Sequence, residues 1–183
     1  MYGLINNALK GMIIKEFGEE QWQQVLSRSG VADDSFLSMR SYDDSVTYAL
    51  VDSASEIVGA PVDSCLEMFG QFWVEEVAGK SYGILMNAAG RDMVAFLGNL
   101  NTLHDRITST FINYLPPEFY LEQKGDRYLI HYISRRQGLT PFVVGLLKGL
   151  ATRFGNLIIF HSQVSMAVDF GAHTVFEVEI TQA

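Results

Sequence analysis

The chain has one cysteine, four prolines, no excess of basic residues and no long apolar run. Each shortage removes a class of protein. With only Cys65, an internal disulfide framework and a zinc site built on paired cysteines are both excluded. A lone cysteine in an apolar helical stretch reads as a buried small hydrophobe. The net charge of −8 argues against a nucleic-acid partner, because phosphate binding needs a basic surface. No window approaches the roughly 18 uninterrupted apolar residues of a membrane span. The start, Met1-Tyr2-Gly3-Leu4-Ile5-Asn6-Asn7, lacks the basic region and apolar core of a secretory signal. No repeat and no low-complexity segment appears. A cytoplasmic protein with no membrane segment is expected.

What is present is apolar and aromatic. Hydrophobic residues make up 48% and charged residues 19% of 183 positions, enough for one generous domain or two small subdomains sharing a core. The aromatic fraction of 12% suits a large internal apolar ligand and equally an ordinary core. Up to about residue 113 the patterning is helical. Leu4, Ile5, Leu9, Met12 and Ile13 mark a helix over about 3–16, and Trp22 and Leu26 a shorter one over 18–29. Helices over about 43–57 and 61–78 follow, the second starting at Pro61. The clearest helix is expected over about 91–113. There Met93, Leu97, Leu100, His104, Ile107 and Phe111 step by four and three and share a face. Pro116-Pro117 ends it.

Beyond the prolines the pattern changes. Strands are expected at 119–123 and 128–134, joined by the turn Lys124-Gly125-Asp126. A helix over about 141–154 and strands near 157–165 and 174–180 complete the chain. The predicted class is α+β: a helical N-terminal part, then a four-stranded antiparallel sheet with a crossing helix.

Two features carry chemistry. His104 sits within the apolar stripe, and a neutral imidazole is the commonest protein ligand for metals. Its plain reading is a core histidine with satisfied hydrogen bonds. Tyr132, Ser134 and Arg136 alternate, so a pleated strand would point a phenol, a hydroxyl and a guanidinium one way. Their plain reading is a solvated outer strand face. Buried together they need partners, and two ligand carboxylates would serve, since arginine matches a carboxylate bidentately. Taken jointly, the features point to a heme held without covalent attachment, His104 on iron and the strand on the propionates. Covalent c-type attachment would need two cysteines before a histidine.

Over its whole length the chain resembles the heme nitric oxide/oxygen-binding (H-NOX) domains, relatives of the sensor region of soluble guanylate cyclase. The resemblance rests on Met1-Tyr2-Gly3-Leu4-Ile5-Asn6, Phe69-Gly70-Gln71-Phe72-Trp73, Asn99-Leu100-Asn101-Thr102-Leu103-His104 and Leu115-Pro116-Pro117. The family's Tyr-x-Ser-x-Arg motif stands as Tyr132, Ser134 and Arg136, followed by Gly145-Leu146-Leu147-Lys148-Gly149. It implies one domain over 1–183, helical over about 1–60 and heme-bearing over about 61–183, with heme b between the parts. It implies His104 as the proximal ligand of ferrous iron, Tyr132, Ser134 and Arg136 at the propionates, and Pro117, Ile5 and Leu146 as porphyrin contacts. His131, His161 and His173 have no role in the pattern and read as surface or structural. Some relatives carry a zinc bound mainly by cysteines. Val164 and Ala172 stand in that region here, so no zinc is expected.

Oxygen-holding members of the family use a distal tyrosine. Counting back three from Gly145 puts Phe142 there, which cannot donate a hydrogen bond, so the resemblance implies nitric oxide sensing with carbon monoxide as an adventitious ligand. Trp73, whose indole N–H can donate, keeps oxygen sensing open as the alternative. The implied output is a separate signalling partner, such as a histidine kinase or a cyclic-di-GMP enzyme, for a stand-alone sensor. A heme-free module for an apolar ligand is one rival. An enzyme is the other, disfavoured because His104 and Asp105 are adjacent on a helix and point apart, and because no catalytic motif appears.

Overall fold

A computed structural model describes all residues except 33–34, 109–114 and 170. Four helices open the chain: α1 (Gly3–Phe17), α2 (Glu19–Ser29), α3 (Asp44–Val58) and α4 (Val62–Phe72). Asp43 starts α3 by accepting a hydrogen bond from the Ser45 amide at 2.8 Å, which satisfies one of the exposed donors of the first turn. Gly59 ends it in the left-handed region. Through Trp73–Ala78 the fourth helix continues as a π-helical segment. Two short helices, α5 (Gly79–Ser81) and α6 (Gly83–Ala89), occupy a stretch with no clear period in the sequence. They are followed by α7 (Met93–Gly98) and α8 (Leu100–Thr108).

The helix expected to run unbroken over about 91–113 is therefore bent. At Asn99 the backbone turns to φ −102°, ψ 4°, and its side chain donates to the Ala89 carbonyl at 2.9 Å. Asn99 thus exchanges helical geometry for a bond to α6. Phe111, expected on the same stripe, and the expected end of the helix lie outside the described residues.

The second half is β1 (Glu118–Lys124), β2 (Arg127–Ser134), α9 (Thr140–Phe154), β3 (Asn156–Val168) and β4 (Gly171–Gln182). The strands form one antiparallel sheet in the order β1-β2-β4-β3. Side chains alternate across it: Ile130, Tyr132 and Ser134 on β2 and Thr174, Phe176 and Val178 on β4 are buried on the inner face. Helix α9 covers that face through Val143, Leu147, Leu150 and Ala151.

Two apolar clusters result. One joins the inner face of the sheet to α6, α7 and α9; the other packs α1, α2 and α3 around Trp22 and takes in Leu66 and Phe69 of α4. Trp73 touches both. What brings the clusters together is the approach of α4 to α9, backbone against backbone. A methyl group on Gly70 would lie 2.1 Å from the Phe142 carbonyl oxygen, and one on Gly145 2.0 Å from that of Glu67. Gly145→Ala should therefore force the helices apart at a cost of about 2 kcal/mol, within the range for overpacked sites. Thermal denaturation should show a midpoint lower by roughly 4–8 °C. Gly98→Ala, where nothing lies within 4 Å, should leave it unchanged or raise it slightly.

Candidate functional site

Between the clusters lies a cavity of about 310 Å³. All nine residues singled out from the sequence line it: His104, Pro117, Tyr132, Ser134, Arg136, Ile5, Leu146, Phe142 and Trp73. Among the described lining residues His104 is the one histidine, and there is no cysteine, aspartate or glutamate.

Helix α8 presents the imidazole. The Nδ1 of His104 lies 3.2 Å from the carbonyl oxygen of Pro117. A carbonyl only accepts, so Nδ1 carries the proton and Nε2 keeps the lone pair of the neutral ring. Burial pushes the pKa of His104 below its ordinary 6.5, outweighing the bond to Pro117 and the neighbouring Asp105 charge, which act in the other direction. A neutral, carbonyl-oriented imidazole is the form that ligates metal. The helix itself is clamped to β1 by a residue that sequence reasoning did not single out as functional. Asn101 donates through Nδ2 to the Phe119 carbonyl and accepts the Phe119 amide on Oδ1, both at 2.8 Å. The signal available was spacing, since Asn101 stands three residues before His104 and so on a neighbouring part of the helix surface. Phe119 also packs near the His104 ring and against Tyr132, with centroids 6.1 and 5.3 Å apart.

Tyr132 and Ser134 are buried on the inner face of β2. Arg136 joins them for a different reason than strand alternation. The strand ends at Ser134, and the Arg136 amide then donates to Ser134 Oγ at 3.1 Å, folding the chain back toward the cavity. Nor is the guanidinium left to a ligand alone. Its Nε donates to Asp44 Oδ2 at 2.8 Å and its Nη1 to the Leu115 carbonyl at 3.1 Å. Asp44 in turn forms an ion pair with the α-amino group of Met1. Neither partner was legible from the sequence, because 92 residues separate Asp44 from Arg136.

The wall beside Phe142 and Trp73 comes from α1, α4 and α9. Phe142 packs on Phe69 with ring centroids 5.0 Å apart, and Trp73 opens the π-helical segment beside them. Apart from the indole N–H of Trp73, the side chains of Ile5, Phe69, Trp73, Phe142 and Leu146 present no hydrogen-bonding group. The donor set therefore fits heme: one nitrogen ligand, an apolar surround, and a phenol, a hydroxyl and a guanidinium suited to carboxylates.

Asp44 also makes a testable contribution to stability. Burial works against its ionisation, but hydrogen bonds from the Met1 amine and Arg136 prevail and hold its pKa below 3.8. Because the folded value is depressed, the stabilisation is complete above the unfolded value and is lost as pH falls through and below 3.8. Urea midpoints measured between about pH 6 and 3 should fall less steeply for Asp44→Asn than for the parent. Parallel curves would remove Asp44 from the acid response.

The Haem-NO-binding family model matches residues 2–162. The chain is 33% identical over 163 residues to soluble guanylate cyclase gcy-32 of Caenorhabditis elegans, covering 87% of this chain and 24% of that protein. To gcy-31 of the same organism it is 29% identical over 152 residues, 82% of this chain and 22% of the other. It spans about a quarter of the length of these cyclases. In fold it is similar to an H-NOX protein from S. oneidensis solved in the Fe(II)NO ligation state, with a TM-score of 0.85, 21% identity and full coverage of both chains. An unliganded Fe(II) H-NOX protein from K. algicida gives 0.81 at 18% identity, covering 100% of this chain and 98% of that one. With a family match over nearly its whole length and the fold of solved H-NOX proteins, the chain belongs to the Haem-NO-binding (H-NOX) family of heme-binding gas-sensor domains.

Proposed function

We propose that this domain senses nitric oxide, with His104 as the proximal ligand of a ferrous heme b and with loss or weakening of that bond as the signal. The observation that carries the reading is the composition of the cavity wall. It offers one imidazole whose lone pair lies on Nε2, beside an apolar surround that includes Phe142, the position to which the resemblance assigns the tyrosine of oxygen-holding relatives. Heme iron, when bound, supplies the gas-binding centre. The protein supplies the rest. The Pro117 carbonyl fixes the imidazole tautomer and raises its basicity. Tyr132, Ser134 and Arg136 are donors for the propionates, and charge-assisted bonds from arginine are the stronger kind. Pro117, Ile5 and Leu146, which line the cavity, would supply apolar contacts to the macrocycle.

Selectivity follows from what Phe142 lacks. An oxygen ligand would lack the charge-assisted bond that a hydroxyl at position 142 would give, roughly 1.5–3 kcal/mol, or tenfold and more in affinity. Nitric oxide requires no such donor; carbon monoxide binds adventitiously. Oxygen sensing is the second reading, favoured by the presence of Trp73 and its N–H in the cavity wall. For the output, the Asn101 clamp makes α8 and β1 move together once His104 is released. The helical part, about 1–60, then turns against the heme-bearing part, about 61–183, a two-state element biased by a ligand. A histidine kinase or a cyclic-di-GMP enzyme is the kind of partner that would read the change. No catalysis is assigned, since the described lining holds no second histidine or carboxylate for acid–base work.

Two measurements test this. Absorption spectra of the ferrous protein should be unchanged by air and shifted by nitric oxide. His104→Gly should bind heme only with added imidazole, and a normal ferrous spectrum without it would overturn the ligand assignment. Separately, Phe142→Tyr should create a stable oxygen complex; unchanged behaviour in air would overturn the filter.

A further inference from the structure

The sheet has a second face, turned away from the cavity, and it carries a pair of histidines that the heme reading leaves without a task. His131 on β2 and His173 on β4 stand diagonally across the two central strands, outward by alternation from the buried Tyr132 and Thr174. The Nδ1 of His131 is 3.0 Å from the Nε2 of His173, with ring centroids 5.2 Å apart. Both rings are half-buried, and both strands are paired on each side, so the pair is held by a rigid frame.

We propose that His131 and His173 form a two-histidine site for a first-row divalent ion that favours imidazole, copper above zinc. Two imidazole nitrogens on one tetrahedral ion at about 2.0–2.1 Å each stand a little over 3 Å apart. The present spacing therefore needs only a small opening, with the ion replacing the one proton the nitrogens share. Glu122 Oε2 lies 3.9 Å from His131 Nε2, the other ring nitrogen. A carboxylate there favours the tautomer with the proton on Nε2 and the lone pair on Nδ1, toward His173, as for metal-bound histidines generally. Met166 stands directly opposite His173 on β3. A directly opposed side chain is within reach across the sheet, and Cu²⁺ stands above Zn²⁺ in affinity for a nitrogen site of this kind. Among the described residues no three of histidine, cysteine, aspartate and glutamate converge, so water completes the coordination and the ion is exchangeable. This site is distinct from a cysteine-bound zinc.

The test is titration of the purified protein with Cu²⁺, followed by electron paramagnetic resonance, and with Zn²⁺ by calorimetry. One equivalent should bind with nitrogen hyperfine structure from two imidazoles. His131→Ala and His173→Ala should each weaken binding by roughly tenfold or more, since loss of a ligand exceeds loss of a supporting contact. His161→Ala should change nothing, although His161 pairs with Glu179 on the same sheet. Uptake that survives both variants, or is lost with His161, overturns the site. Should the variants fold poorly, histidine modification of the parent by diethyl pyrocarbonate decides. Zn²⁺ should protect His131 and His173 together, and equal modification with and without Zn²⁺ overturns the proposal.

Discussion

The structure depends on one close approach, that of α4 to α9. Gly70 and Gly145 carry no side chain because none fits, and at Gly149 a methyl group would meet Val74 Cβ at 2.9 Å and Gln71 backbone at 3.3 Å. Helices separated by side chains on both surfaces pack about 8–10 Å apart; here the backbones themselves meet. The consequence is geometric. Phe69 and Trp73 on one chain segment and Phe142 and Leu146 on the other are drawn into a single apolar wall. The space that a conventional interface would fill is left as cavity beside them. A protein interior otherwise packs to crystal density, so a void of this size lined by aromatic and aliphatic side chains has to be maintained by rigid framing. The bare contact of α4 and α9 on one side and the hydrogen-bonded sheet on the other provide it.

Against that wall the polar groups are few and each is oriented by backbone. The Pro117 carbonyl sets the His104 tautomer, the Phe119 peptide grips Asn101 in both directions, and the Arg136 amide turns onto Ser134. All three devices lie in the stretch from Pro117 to Arg136, the chain that crosses from helix to sheet. Prolines at its start remove alternatives for the backbone. The imidazole is thereby aimed by a carbonyl dipole, and burial outweighs that bond and the Asp105 charge in setting its charge state.

The chemistry-bearing residues were legible in the sequence to the extent that they are local. The stripe of Leu97, Leu100, His104 and Ile107 follows from a helical period, and all four line the cavity. The sheet followed from alternation and turn signals, and the predicted strands match to within a few residues at their ends. What was not legible depends on distant contacts or on weak periodicity. Asp44 and the Met1 amine meet Arg136 only through tertiary structure. The bend at Asn99 exists because Ala89 offers a carbonyl, which no pattern within the helix announces. Helices α5 and α6 lie in a segment too short and irregular for a period, and the π-helical segment reads in sequence as ordinary helix. Arg136 lines the same cavity as Tyr132 and Ser134, but through a turn beyond the strand end instead of the strand itself.

The ion pair at Arg136 bears on how a sensor of this shape can switch. Asp44 and Met1 belong to the helical part, and Arg136 belongs to the part that carries His104. Tyr48 of α3 adds a second tie, donating to the Gln137 carbonyl at 3.0 Å. Both ties are polar and partly exposed, and such pairs contribute roughly 1 kcal/mol or less. The apolar contacts of α4 with α9 are far more costly to disturb. Because α4 and α9 both lie in the part over about 61–183, their close contact stiffens that part, and a relative movement of the two parts is taken up where α1 and α3 pack against Leu66 and Phe69 of α4. For the proposed mechanism this matters quantitatively. A ligand shifts a two-state equilibrium only by its differential affinity, and moving it from mostly one state to mostly the other takes about 5.5 kcal/mol. The polar ties at Arg136 and Tyr48 add little to that requirement; the larger resistance at α3 comes from Leu50, Val51 and Ala54 in the apolar cluster they share with Leu66 and Phe69 of α4. The yielding polar contacts thus lie around Arg136, and the bare contact of α4 with α9 holds the part that carries His104 together.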